Sequence, residues 1–245
     1  MDLLDYLLGA IVAVLIGLSK TGLPGVSLPA ILLLITTLGD AKQANGAMLP
    51  VLLVADVFAV VWFRRHAQWD RLVWLLPAVY AGMVPGYVIL TKLPASQLCP
   101  VIGLVVLIMV ILELLRQRLG WKNVPRQWWF AGVMGFAAGF STIIAHAAMP
   151  VMTIYLLSQG MDKEKFIGTA AWFFFIVNLS KVPFYIAAGM ITMETLHFDL
   201  YVAPIAIIGG LLGVSLLAHL PQKLFNTLAL ILAGAAAVML IVPRG

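Results

Sequence analysis

Charged side chains are scarce in this sequence. Only 10% of its 245 residues are Asp, Glu, Lys or Arg, whereas soluble domains carry about 25%. Hydrophobic residues make up 63% of the chain, and the mean hydropathy is +1.06. At about 20 apolar residues for each crossing, this length accommodates eight long segments, or ten helical elements if some are short. The composition excludes a sizeable soluble domain and predicts one all-α polytopic membrane domain over residues 1–245.

Cysteine and the common catalytic motifs are also missing or nearly so. Cys99 is the only cysteine, which excludes an internal disulfide and a cysteine metal cluster. The sequence contains no Walker loop, HExxH, CxxC or GxSxG motif. We therefore predict no metal, no cofactor and no enzymatic activity. An intramembrane serine hydrolase built on Ser141 and His146 is the least favoured alternative.

The two halves of the chain resemble each other. GLSKTGLPGVSLPA aligns with GFSTIIAHAAMPV, which places Gly17 on Gly139 and Ser19 on Ser141. Farther along, Asp56 falls on Asn178, and LLPAVYAGMVPG (75–86) falls on VAPIAIIGGLLG (202–213). Internal repeats of this kind are common in membrane transporters. We predict a duplicated unit, with repeat 1 at about 3–116 and repeat 2 at about 127–242.

Each repeat has a polar interruption between two apolar stretches, followed by three segments long enough to cross a membrane. The stretches after the interruptions, 28–38 and 149–158, are too short, because about 11 residues rise only about 17 Å. Each is either the return arm of a re-entrant hairpin or the far half of a broken helix. The long segments are predicted at 43–63, 72–91, 97–115, 166–187, 199–217 and 224–242.

Loop charge favours the hairpin arrangement. With hairpins and an outside N terminus, ten Lys and Arg residues lie in inside loops and three in outside loops. With single crossings, the best split is eight to five. Because inside loops are enriched in Lys and Arg, we predict inverted repeats and an outside N terminus. Topology, rather than nucleic-acid binding, then explains the net charge of +5.

The first interruption, GLSKTGLPG at residues 17–25, places a lysine within an apolar region. A charge at the bilayer centre costs at least about 2.5–3.5 kcal/mol, so Lys20 either faces a polar cavity or snorkels to lipid phosphates from a shallow turn. In an inverted pair, both interruptions approach the midplane and direct helix N termini at one point. The predicted anion-binding residues are Ser19, Lys20, Thr21, Gly22, Gly25, Ser27, Asn45, Ser141, Thr142, His146, Asn178 and Lys181.

Three polar positions have more than one interpretation. Asp56, in the middle of an apolar segment, is a candidate for proton coupling or an ion-pair partner of Lys20 or Lys181. Asn45 either faces the substrate or caps its helix. Because histidine titrates near pH ~6.5, His146 either couples anion binding to protons or hydrogen-bonds the broken backbone.

The break G-x-S-K-T-G-x-P-G, the two-fold repeat and the eight-to-ten-segment layout resemble the TauE/SafE family, also called the sulfite exporter or toluene-sulfonate uptake family. The resemblance covers nearly the whole chain and is strongest at residues 9–60. STIIAHAAMP in the second half is a looser counterpart, since it lacks the lysine and glycines.

The resemblance implies a multi-pass transporter of sulfite or short organosulfonates in the bacterial inner membrane, with proton coupling. Alternating access between the inverted halves is the preferred mechanism, and a passive anion channel at the same site is the alternative. The expected partners are a small anion and the lipid bilayer, and a homodimer is left open. Neither the particular anion nor the direction of transport follows from the sequence.

Overall fold

The computed structural model describes residues 3–23, 41–94, 128–146 and 148–221, with single residues between and after these ranges. These ranges contain helices and no strand. The predicted stretch 28–38 and the predicted segments 97–115 and 224–242 fall outside them. The helices are α1 (Leu3–Thr21), α2 (Ala41–Phe63), α3 (Trp69–Lys92), α4 (Trp128–Ala145), α5 (Met149–Ser158), α6 (Lys163–Ala187), α7 (Met193–Val202) and α8 (Ile205–His219).

Four of these helices, α1, α2, α3 and α6, are long and apolar enough to cross a membrane. The consecutive helices α7 and α8 qualify together as a fifth crossing, bent by 45°. The prediction of an all-helical, multi-pass membrane protein is therefore confirmed. The segment predicted at 199–217 overlaps this bent pair, whose helix breaks at Ala203 and Pro204. Proline has no N–H for the helical ladder and its ring crowds the preceding turn.

The chain forms two compact units, Met1–Ala67 with Lys163–Phe225 and Gln68–Asp162 with Asn226–Gly245. The first unit contains α1, α2, α6, α7 and α8. The second contains α3, α4 and α5.

In the first unit, α1 runs parallel to α8, and α2 runs antiparallel to α6. Gly17 of α1 lies against Ala206, and Gly22, just after α1, lies against Gly213, so α1 and α8 are parallel. The end of α2 lies beside the start of α6, since Gly168 packs on Phe63. Helices α2 and α6, which the sequence alignment makes equivalent, are thus antiparallel neighbours.

In the second unit, α3 and α4 pack closely and run in the same direction. A Cβ on Gly82 would lie 2.1 Å from the carbonyl oxygen of Phe136, and one on Gly86 would lie 3.0 Å from that of Phe140. Such short distances leave room only for glycine. Helix α5 follows a break at His146, and Pro150 stands in its first turn, where its missing N–H costs no hydrogen bond.

The α1–α8 and α4–α3 interfaces are made by corresponding residues. Gly17 faces the carbonyl oxygen of Ala206, and its counterpart Gly139 faces that of Val79, the counterpart of Ala206. In the same way, Gly209 faces the carbonyl of Val14, and Gly82 faces the carbonyl of Phe136. The same helix packing therefore occurs once in each unit.

A buried charge cluster as candidate anion site

Lys20 and Asp56 form an ion pair in the interior of the first unit. Helix α1 continues through Lys20 and ends at Thr21, so the lysine lies in its last turn rather than in the break. The Nζ atom of Lys20 lies 2.7 Å from Oδ1 of Asp56, and the two side chains are 4% and 0% exposed. The same Nζ lies 4.0 Å from the ring centroid of Phe174, within the range of a cation–π contact. Lys20 therefore faces protein and does not reach lipid phosphates.

Asn178 and Lys181 of α6 complete this cluster. The Nδ2 of Asn178 donates a hydrogen bond of 2.5 Å to Oδ2 of Asp56, so both carboxylate oxygens of Asp56 are engaged. Lys181, one turn beyond Asn178, is fully buried and interacts electrostatically with Asp56 and with Lys20. This charge cluster (Lys20, Asp56, Asn178 and Lys181) thus contains two lysines and one aspartate, all of them buried.

The hydroxyl groups next to Lys20 are buried and hydrogen-bonded. Ser19 donates to Oγ of Ser27 at 3.0 Å, which brings the end of α1 to the residues after the break. Thr21 donates to the carbonyl oxygen of Gly210 in α8 at 2.7 Å. A Cβ on Gly22 would lie 2.7 Å from the Cα of Gly213. In this structure Thr21 and Gly22 thus hold α1 against α8, and their predicted contact with substrate stays a prediction.

Two further residues predicted to bind the anion, Asn45 and Gly25, belong to this half of the chain. Asn45 is buried in α2, which begins at Ala41, so Asn45 lies inside the helix and the capping interpretation is wrong. Gly25 lies outside the described residues.

The predicted residues of the second interruption belong to the other unit. Ser141 and Thr142 are buried in the last turns of α4, and Ser141 donates to the carbonyl oxygen of Ala138 at 3.3 Å. His146 follows α4 in a left-handed conformation with φ of 53°, and its backbone N–H donates to the carbonyl oxygen of Thr142 at 3.0 Å. The convergence of the two interruptions on one anion stays a prediction.

One buried acid was not predicted as a site residue. Asp199 of α7 is 3% exposed, and within the described ranges neither of its carboxylate oxygens has a hydrogen-bond partner. In the sequence, Asp199 follows the short acidic connection between two long segments, and an acid in that position is typical of an exposed loop. The spacing of Thr195, Phe198, Asp199 and Val202 on one helical face is the signal that points to burial.

The comparison with protein families identifies the chain. The family described as Sulfite exporter TauE/SafE matches residues 6–240. No curated protein and no solved structure matches the chain. The match spans both units, the charge cluster and both interruptions. The chain thus belongs to the TauE/SafE sulfite exporter family of membrane transporters.

Proposed function

We propose that this protein is a secondary transporter that moves small sulfur-containing anions, sulfite or short organosulfonates, across the bacterial inner membrane. The observation that carries the proposal is the charge cluster, which has two buried lysines and one buried aspartate. Buried charges inside membrane segments are expensive and are typical of substrate pathways. Lysine side chains, which bind oxyanions, outnumber the carboxylate in this cluster two to one, and this favours an anion over a cation as the substrate.

In the anion-free state, Asp56 acts as the internal counter-ion of Lys20. An entering oxyanion competes with the carboxylate of Asp56 for the Nζ of Lys20. Once Lys20 binds the anion, the buried Asp56 carboxylate loses its direct ion pair and takes up a proton, because a buried carboxylate without a contacting cation is costly. When the anion leaves, Asp56 releases the proton and pairs with Lys20 again. One proton thereby accompanies each anion.

We propose inverted repeats and alternating access as the setting for this exchange. The antiparallel course of α2 and α6 supports the inversion, since these helices are equivalent in the sequence alignment and meet at the equivalent residues Asp56 and Asn178. The recurrence of the same glycine contacts in the two units supports the repeat. His146 is proposed as a second titrating group at the other interruption.

The test is transport in proteoliposomes made with the purified protein. We expect an imposed pH difference to drive sulfite accumulation above its equilibrium level. Flux that is only downhill and independent of pH would overturn the transporter and support the passive channel. Lys20→Met is expected to abolish accumulation, whereas Lys165→Met, which removes an exposed lysine from the start of α6, is the matched control and should retain it.

The chemical class of the substrate is tested by ligand-induced thermal stabilisation of the purified protein. Sulfite, thiosulfate, taurine, sulfoacetate and sulfolactate are compared with simple carboxylates of similar size. We expect stabilisation by one or more sulfur oxyanions, because a ligand that binds only the folded state raises its apparent stability. Stabilisation by carboxylates alone would contradict the proposed substrate class.

A further inference from the structure

Asp199 is a buried acid for which the proposed transport step has no use. It lies in α7 on the same face as Thr195, Phe198 and Val202, and this face is turned into the first unit. A Cβ on Gly9 of α1 would lie 2.4 Å from the ring of Phe198, so α7 is seated closely on α1. Asp199, 3% exposed, is thereby held in a buried contact between helices.

The polar groups closest to Asp199 in the helix already form hydrogen bonds with backbone groups. The hydroxyl of Thr195, one turn earlier, accepts from the backbone N–H of Thr192 at 2.9 Å and donates to its carbonyl oxygen at 3.0 Å. The backbone oxygen of Asp199 accepts from the N–H of Ala203 at 2.8 Å. The carboxylate oxygens themselves have no hydrogen-bond partner in the described part of the chain.

The helices packed on α7 supply no cation to Asp199. The titratable residues of α1, α2 and α8 outside the charge cluster are Asp5, Tyr6, Lys42 and His219. Tyr6 packs its ring against Phe198, and His219 contacts the carbonyl oxygen of Ser215. Among the described residues, no ion pair to Asp199 is formed, and the titratable neighbours on α7 itself, Glu194 and His197, are exposed.

We propose that Asp199 is a proton-binding site, distinct from Asp56. Asp199 carries its proton in the conformation seen here, in which α7 packs on α1, and releases the proton when α7 moves away from α1. A carboxyl group that is buried without a cation or hydrogen-bond donor is held in its neutral form, since the ionised form would stay unsolvated. Asp199 lies about 9 Å along the helix from the start of α7 and about 4.5 Å from its end, beside the break at Pro204. The break at Pro204 lets α7 move without α8.

The first test detects the proton itself and does not depend on transport. In infrared spectra of the full-length protein at neutral pH, protonated carboxyl groups give a carbonyl stretching band at higher frequency than the amide bands, and carboxylates do not. We expect the Asp199→Asn protein to lack one such band that the unmodified protein shows, while Glu194→Gln, an exposed acid on the same helix, leaves the spectrum unchanged. Identical spectra for the unmodified and Asp199→Asn proteins would overturn the proposal. Asp199→Ser serves in the same way if the asparagine variant is not recovered.

The second test rests on the proposed transport function. In proteoliposomes, Asp199→Asn is expected to retain exchange of labelled for unlabelled sulfite but to accumulate less sulfite under the same pH difference, because only the proton on Asp56 then accompanies the anion. Glu194→Gln should retain both. Accumulation by Asp199→Asn equal to that of the unmodified protein would overturn the coupling role. An unmodified protein that does not accumulate sulfite would contradict the proposed function, whereas the infrared band decides on Asp199 independently.

Discussion

At the scale of single residues, the cost of the Lys20–Asp56 pair explains why both partners have to be present. Removal of one partner from a buried ion pair costs about 3–5 kcal/mol, because the remaining charge is left uncompensated, whereas replacement of both by apolar residues is often neutral. The charge cluster is thus poor evidence of stabilisation and better evidence of a role that needs charge. The stability of variants that lack one or both partners, measured with and without sulfite, distinguishes a pair that only stabilises the fold from a pair that binds the anion.

Lys20→Met is expected to lower the free energy of unfolding by about 3–5 kcal/mol, and the double variant Lys20→Met with Asp56→Leu to regain most of this loss. Neither variant is expected to be stabilised by sulfite, since the cation is gone from both. Thermal unfolding in detergent, with and without sulfite, measures both effects. A double variant that still responds to sulfite would remove Lys20 from the binding site.

His146 offers a separate test, because its backbone conformation affects the stability of the protein, whereas its imidazole affects the pH dependence of sulfite binding. Its φ of 53° costs about 1–2 kcal/mol in a non-glycine residue, so His146→Gly is expected to raise stability, while His146→Ala keeps the strain. Both variants lack the imidazole and are expected to lose the same pH dependence of sulfite binding. An unshifted pH profile in both variants would leave His146 with a backbone role only.

The residue pairs of the cluster were predicted only as alternatives. The sequence shows that Asn178 and Lys181 share a face of one helix, since they lie one turn apart. The sequence does not show how the neighbouring helices are oriented about their own axes, and this orientation decides whether Asp56 contacts Lys20 or Lys181. In the structure Asp56 contacts Lys20 directly and interacts with Lys181 through its charge.

At the scale of helices, the interfaces depend on glycines that let two backbones approach. This is the manner in which membrane helices associate, since lipid provides no hydrophobic driving force between them. A Cβ on Gly17 would lie 2.0 Å from the carbonyl oxygen of Ala206, which a rigid backbone cannot accommodate. Gly132 in α4 has no neighbouring atom within 4 Å of the corresponding position.

These two glycines are expected to respond to alanine with opposite signs. Gly17→Ala forces α1 away from α8, and overpacking of this kind costs about 1–3 kcal/mol. Gly132→Ala removes only the entropic cost of glycine within a helix and should gain about 0.5–1 kcal/mol. The midpoint of thermal unfolding in detergent measures both changes. Equal changes in the two proteins would contradict the close approach of α1 and α8.

Prolines show where prediction of helices from the sequence fails. Pro77 lies inside the continuous helix α3, whereas its counterpart Pro204 separates α7 from α8. The local chemistry of the two residues is the same, so the difference comes from the packing around them. A sequence pattern contains the proline but not this packing, so it predicted the segment 199–217 without the bend inside it.

At the scale of the whole molecule, hydropathy was sufficient to predict the class of the fold and most of its long helices. The segments predicted at 43–63, 72–91 and 166–187 correspond to α2, α3 and α6. The orientation in the membrane rests on loop charge alone, because no property of the packed helices distinguishes inside from outside. It therefore needs a chemical test.

Labelling of introduced cysteines tests this orientation in intact cells. In a Cys99→Ser background, Met193→Cys at the start of α7 should react with a membrane-impermeant maleimide from outside. Arg65→Cys, just after α2, should react only after the cells are opened. Both positions are exposed, so a difference in labelling reports sidedness. The reverse pattern would invert the proposed topology.

The hydrogen bond between Asp56 and Asn178 constrains how such a chain can have arisen. The two residues are counterparts in the sequence alignment of the two halves and yet touch each other, so in an assembly of two identical copies of one half this position would meet itself. Two aspartates there would repel, and two asparagines would leave Lys20 without a carboxylate partner. A single carboxylate at this point requires that the two halves differ in sequence. Joining both halves in one gene, with separate mutation of each, permits that asymmetry, whereas a symmetric dimer of one half does not.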